Sequence, residues 1–179
     1  MWAFSDESER ANRMILVVAM APPSAVHAAR AQLRELLLPG QRRIHTSDES
    51  PRRRRMILDT LALVEDMSAV AFCYRRPMGI THVEARRALL VAATHHVVVN
   101  GASSWILDNQ DPQQRARDRA TITAALRGAT GASRPVFDHR RGYSEGMLWA
   151  ADALCWAVGA GGDWRRRIDR IVTIRHVEP

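Results

Sequence analysis

The chain is predicted to be an α/β domain built on a mixed sheet flanked by helices. Two observations predict this: an apolar hairpin opens the sequence, and strand-like and helix-like segments alternate after it. No internal repeat or low-complexity tract breaks the alternation. With 179 residues, 46% of them apolar, the chain can bury a real core, so residues 1–179 are expected to form one domain.

Trp2 to Ser5 and Met14 to Ala21 are the hairpin strands, with Ser8 to Arg13 as a polar turn. Ser24 is the expected N-cap of a helix running to Leu38, with Val26, Ala29, Leu33, Leu36 and Leu37 on one face and Pro39-Gly40 as its stop. Arg42 to Thr46 is a short strand candidate. Ser50-Pro51 opens a helix ending near Asp66 with Met56, Ile57, Leu61 and Val64 as its stripe, the proline suiting the first helical position.

Ser68 to Tyr74 reads as a buried strand, and a helix follows from about Thr81 to His95. Val97-Val98-Val99 fits helix or strand. Asn100-Gly101 signals a turn before a strand from Ser103 to Leu107. A helix runs from Asp111-Pro112 to Gly128, Ala129 to Ser133 is a linker, and Pro135 to Phe137 is a short strand. Glu145 to Val158 is an apolar helix closed by Gly159 to Gly162, and Ile171 to Ile174, flanked by Arg170 and Arg175, is an edge strand.

The formal charge of +7 suggests an anionic partner, because clustered guanidiniums neutralise phosphates. All 26 basic residues are arginine, a bias that a GC-rich genome also produces. The runs Arg52 to Arg55 and Arg165 to Arg167 point more directly to phosphate, although a solvated helix face explains an arginine run equally well. Arg52 to Arg55 and Arg140-Arg141 are expected to border the active site. No stretch approaches the roughly 18 apolar residues of a membrane span, and the N-terminus lacks the pattern of a secretion signal, so a cytoplasmic protein without membrane contact is expected. Cys73 and Cys155 lie in apolar surroundings far apart in sequence and read as reduced core residues. The same surroundings would raise a thiol pKa, which argues against a Cys-His hydrolase.

Three acids carry the candidate chemistry. Asp6-Glu7 ends the first strand, Asp108 ends Trp105-Ile106-Leu107, and Asp152 sits inside the apolar helix. Carboxylates distant in sequence but at equivalent strand ends can converge on hard divalent cations such as Mg2+ or Mn2+. In open α/β sheets the working site lies at the carboxyl ends of strands, where Asp6 and Asp108 fall. Asp6-Glu7 could instead cap a turn, and Asp108 the following helix. Asp152, four residues from Leu148 and three from Cys155, borders the buried stripe and is harder to read as surface decoration.

His45 is open to three roles: general base, phosphate contact or packed strand histidine. His95-His96 at a helix end suits the helix dipole better than a metal. Asp138-His139-Arg140-Arg141 fits either the rim of the site or a salt-bridged loop. Trp149, Trp156 and Trp164 recur at helical spacing, which favours packing over base stacking and leaves room for a homodimer.

Four segments resemble, in order, a known family. Phe4-Ser5-Asp6-Glu7-Ser8 is similar to the "DESG" start of the bacterial proteins grouped as domain of unknown function 3800, of the ribonuclease-H-like superfamily. Ile44-His45-Thr46-Ser47-Asp48 resembles its "lHasd" segment, Ile106-Leu107-Asp108 its internal strand ending in Asp, and Leu148-Trp149-Ala150-Ala151-Asp152 its late "LQiAD" motif. Glu9 follows Ser8 where the family has a glycine nearby, and Trp149 replaces its Gln. The resemblance implies a ribonuclease-H-like sheet in which Asp6, Asp108 and Asp152 are metal ligands, Glu7 is a fourth candidate and His45 belongs to the site. It implies a metal-dependent nuclease or related phosphoryl-transfer enzyme acting on DNA or RNA. The competing expectation is a non-catalytic scaffold of the same fold that binds nucleic acid or a protein.

Overall fold

The computed structural model describes residues 1–108, 111–131 and 134–178. Among these, six strands form one mixed sheet in the order β5-β4-β1-β2-β3-β6. β1 (Trp2–Arg10) and β2 (Arg13–Ala21) are antiparallel, as are β2 and β3 (Ser68–Arg75). β4 (Ser104–Asp108) lies parallel to β1, β5 (Val136–Arg140) parallel to β4, and β6 (Val172–Val177) parallel to β3. β6 is an edge strand, as its flanking arginines suggested.

Side chains alternate across a strand, so the sheet has two apolar faces and each is covered by helices. Phe4, Ile15, Val17, Ala19 and Ile106 face one core with α1 (Pro23–Glu35), α2 (Pro51–Ala62) and α5 (Gly146–Ala160). Ala3, Leu16, Val18, Trp105 and Leu107 face the other with α3 (His82–Val99) and α4 (Pro112–Gly128). A short α6 (Gly162–Arg166) follows α5, which ends where Gly161 takes φ 70°.

Several boundaries differ from expectation. The hairpin turn is only Ala11-Asn12, because Ser8 to Arg10 continue β1 and pair with Arg13 to Ile15. Asp6 and Glu7 therefore sit inside a strand. They still mark an end of the parallel sheet, since β1 pairs with β4 through Ser5↔Leu107 and Asp6 occupies the next position beside the last residue of β4. α1 starts at Pro23 after Pro22, so Ser24 is not its cap, and it stops at Glu35. Arg42 to Thr46 form no strand; an irregular segment with a bend at Arg43 leads through an extended His45 into a 3-10 turn, Thr46–Asp48. α2 is capped by Ser50 as expected but ends at Ala62, with Leu58 buried and Met56 exposed. Val97 to Val99 are the last turn of α3, whose start carries a Thr81–Glu84 capping box. β5 reaches Arg140, which places Asp138 and His139 in the sheet. Ala132 and Ser133 of the expected linker lie outside the described residues. No helix among the described residues is long and apolar enough to cross a membrane.

Candidate active site

α5 lies across β1 and β2 and is almost wholly buried; Asp152 and Trp156, one turn apart, are among its few partly exposed positions. That stripe faces the side of β1 from which Asp6 projects, because Asp6 shares strand parity with Phe4. Asp108 shares parity with Ile106 on the neighbouring strand. All three aspartates line one cleft of about 180 Å³, together with Arg43, His45 and Trp149. Two roomier hollows, about 370 Å³ between α3 and α4 and about 390 Å³ beside Val64 to Asp66, lie away from these acids. Converging charge, not volume, distinguishes the smaller cleft.

Burial pushes the Asp6 carboxyl well above its ordinary value, and the negative charges of Asp152 and Asp108 push it further, with Arg86 and Arg43 offsetting only part. The Glu7 backbone N–H donates to Asp6 Oδ1 at 2.7 Å. Asp152 Oδ2 accepts the Thr46 backbone N–H at 2.7 Å, so the 3-10 turn is tied to α5 at the site itself. Beside this bond, His45 Nε2 stands 3.9 Å from Asp152 Oδ1. The other ring nitrogen, Nδ1, lies 3.0 Å from both Asp48 Oδ2 and Ser47 Oγ. The hydrogen bond and charge of His45 hold the Asp48 carboxyl below its ordinary value.

The donor chemistry suits a hard divalent cation, since the acids supply carboxylate oxygens only and Asp6 carries the mark of neighbouring negative charge. Among the described residues, however, no group of three or more His, Cys, Asp or Glu side chains is drawn together closely enough to hold an ion. An ion would have to gather these carboxylates against their mutual repulsion.

Glu7 has a different position from its sequence neighbour. Alternation turns it to the α3 face, where it pairs with Arg86. Arg86 also donates to Asp118 through Nε at 2.9 Å and Nη2 at 2.8 Å, and Asp118 is joined by Gln114 at 2.8 Å and His139 at 3.3 Å. Burial opposes the Asp118 charge, but the hydrogen bonds from Arg86 and His139 outweigh it and hold the carboxyl well below its ordinary value. Glu7 is thus tied through Arg86 to a buried ion network, while it also lines the cleft of the three aspartates.

The arginine runs divide. Arg53 is structural, bonded to Glu49 at 2.5 Å and to the Leu36 carbonyl at 2.7 Å. Arg54 clamps the site turn through the Thr46 and Ser47 carbonyls at 2.8 and 2.7 Å, and lies over Trp156 with Cζ 4.5 Å from the ring centre. Arg165 to Arg167 form exposed ion pairs with Asp169, Asp163 and Asp59. Trp149 and Trp156 have separate duties: the Trp149 indole donates to the Gly142 carbonyl at 2.6 Å, while Trp156 packs edge-on against Trp164 at 5.1 Å. His96 packs against Phe72 and bonds Asn100, as a helix-end residue. Both cysteines are buried, with their thiols pushed up by burial.

Sequence reasoning missed Arg43, Gly142 and Arg86. A Cβ built at Gly142 would sit 3.5 Å from Arg43 Nη1 and 3.8 Å from Asp108 Oδ1, which places the Gly142–Ser144 turn on the cleft wall. No local pattern marks Arg43 in a chain so rich in arginine, and Arg86 looks like one polar position of an amphipathic helix.

Neither a protein-family model nor a curated protein sequence matches this chain. Among solved structures the chain is similar to ribonuclease HII in the PCNA:RNase HII complex from Archaeoglobus fulgidus, with a TM-score of 0.54 and 14% sequence identity, over 95% of this chain and 75% of that one. A likeness at this identity speaks to backbone architecture alone: the fold is a ribonuclease-H-like α/β fold, a mixed six-stranded sheet flanked by helices.

Proposed function

We propose that this chain is a metal-dependent nuclease, or a related phosphoryl-transfer enzyme, that acts on nucleic acid at the cleft of Asp6, Asp108 and Asp152. The resemblance of its motifs to the family of domain of unknown function 3800 belongs to the same proposal. The observation that carries it is the shared cleft: three aspartates from β1, β4 and α5, separated by 102 and 44 positions, face one hollow, and Asp152 and Asp108 add to the burial that raises the Asp6 carboxyl. The ribonuclease-H-like fold agrees with this reading.

Mg2+ or Mn2+ held by these carboxylates would supply an activated water and neutralise charge on the scissile phosphate. The chain's own groups do the rest. Arg43, on the cleft wall, is placed to grip phosphate oxygens. With its proton on Nδ1 and donated to Asp48, His45 keeps a lone pair on Nε2 at the cleft, where it can accept a proton and later return it. Ser47 and Asp48 orient the ring, and the Thr46 N–H orients Asp152.

The test is cleavage of labelled oligonucleotides with and without Mn2+, by wild type and Asp152→Asn, alongside calorimetric Mn2+ titration. Asp152→Asn is expected to abolish cleavage and weaken Mn2+ binding. Asp138→Asn, at an exposed acid paired to Arg140, is expected to retain both. Wild type without metal-dependent cleavage, and Mn2+ binding that is the same in Asp152→Asn, would replace the enzyme with a binding scaffold of the same fold.

A further inference from the structure

We propose that Tyr143, with Arg42 and Arg141, is a nucleotide-stacking platform at the cleft mouth, and that the substrate is single-stranded nucleic acid. This rests on the reading of the cleft as a phosphodiester site.

Tyr143 is 47% exposed and follows Gly142, which lines the cleft wall. Its support is firm. The Gly142 carbonyl is held by the Trp149 indole at 2.6 Å, and the Ser144 backbone N–H and hydroxyl both donate to the Arg141 carbonyl at 2.8 Å. Two guanidiniums attend the ring: Arg42 Cζ stands 5.2 Å and Arg141 Cζ 5.9 Å from its centre, and Arg141 Nη1 donates to the Tyr143 hydroxyl at 3.0 Å. Positive charge predominates along this rim. Of its acids, Asp138 engages Arg140 at 3.3 Å, while Glu145 engages Arg30 at 2.8 Å and caps α5.

Arginines alone would suit the backbone of a duplex as well as that of a single strand. An exposed aromatic ring at cleft level discriminates between them, because a base offers its face to such a ring only when it is unpaired and unstacked. Past Asp152 the cleft continues as a groove of about 260 Å³ that shares Glu7, His45 and Asp152 with it and is lined further by Glu9, Arg10 and Trp156. A strand entering over Tyr143 thus has a path past the carboxylates.

The test is fluorescence anisotropy with a labelled single-stranded oligonucleotide free of self-complementarity, and with its blunt duplex, Ca2+ replacing Mn2+ so that binding is read without turnover. Wild type is expected to prefer the single strand, Tyr143→Ala to bind it about tenfold more weakly, and Tyr143→Phe, which keeps the ring, to stay within about twofold of wild type. Wild type preferring duplex, no binding of the single strand, or wild-type affinity in Tyr143→Ala would each overturn the platform. The enzyme reading is judged separately, by Mn2+-dependent cleavage. Ring-dependent binding without cleavage sustains the platform and removes the enzyme, whereas duplex cleavage that is unchanged in Tyr143→Ala does the reverse.

Discussion

Replacing Asp118 by Asn tests whether the buried network behind β1 stabilises the fold. Asp118 is 1% exposed and Arg86 3%, and the pair makes two hydrogen bonds at 2.9 and 2.8 Å, with Gln114 and His139 on the remaining lone pairs. Asparagine keeps the size but turns one acceptor into a donor that faces Arg86. Breaking a buried pair from one side costs about 3–5 kcal/mol, because the surviving charge stays desolvated. Arg86 keeps Glu7 as a partner, so the low end, about 3 kcal/mol, is expected. In a chain of this length that corresponds to a fall in Tm of about 6–12 °C.

The matched control is Asp169→Asn, whose pair with Arg165 is exposed on both sides and is worth under about 1 kcal/mol. Because the Asp118 carboxyl is held low in the native state, its contribution is full above the ordinary carboxylate range and is lost as pH falls through the native value. The gap between wild type and Asp118→Asn in urea melts should therefore be widest near neutrality and close in strong acid. A loss no larger than that of Asp169→Asn, or a gap that does not change with pH, would refute the reasoning.

The Asp6 carboxyl is raised, so the native state holds a proton there that the unfolded chain has released, and stability falls as pH climbs from the ordinary carboxylate range through the native value. Asp6→Asn should unfold at higher urea than wild type at neutral pH, and the advantage should vanish in acid; equal midpoints at neutral pH would contradict this. Trp149→Phe removes the donor to the buried Gly142 carbonyl and should cost about 1–3 kcal/mol in denaturant melts, so an unchanged midpoint would show that the bond is not needed. Arg54→Ala should speed amide exchange at Thr46 and weaken Mn2+ binding with little change in global stability, because Arg54 secures the turn that orients Asp152. Exchange equal to wild type would assign the turn's order to other contacts.

Much of the architecture was readable from the chain because it depends on local periodicity. Ser50-Pro51, Thr81 with Glu84, and Asp111-Pro112 announce helix starts through backbone groups a few residues away. Period-two and period-3.6 apolar patterns likewise separate strand from helix without long-range information. The three aspartates could be named because each acid adjoins or interrupts an apolar run. What the chain could not disclose is which side of the sheet each one takes. Extending β1 to Arg10 depends on pairing with β2, and that pairing sets Asp6 toward α5 and Glu7 toward Arg86. Arg42 to Thr46 form no strand, the Thr46 N–H and carbonyl bonding instead to Asp152 and Arg54, and Arg43 and Gly142 joined the site only through packing across about a hundred residues. Local propensity reaches a few residues along the chain, whereas electrostatic convergence is decided by strand register and helix docking. That is why the acids, and the expectation that they converge, were legible in the sequence, while the face of the sheet that each takes and the rim around the cleft belong to the tertiary structure.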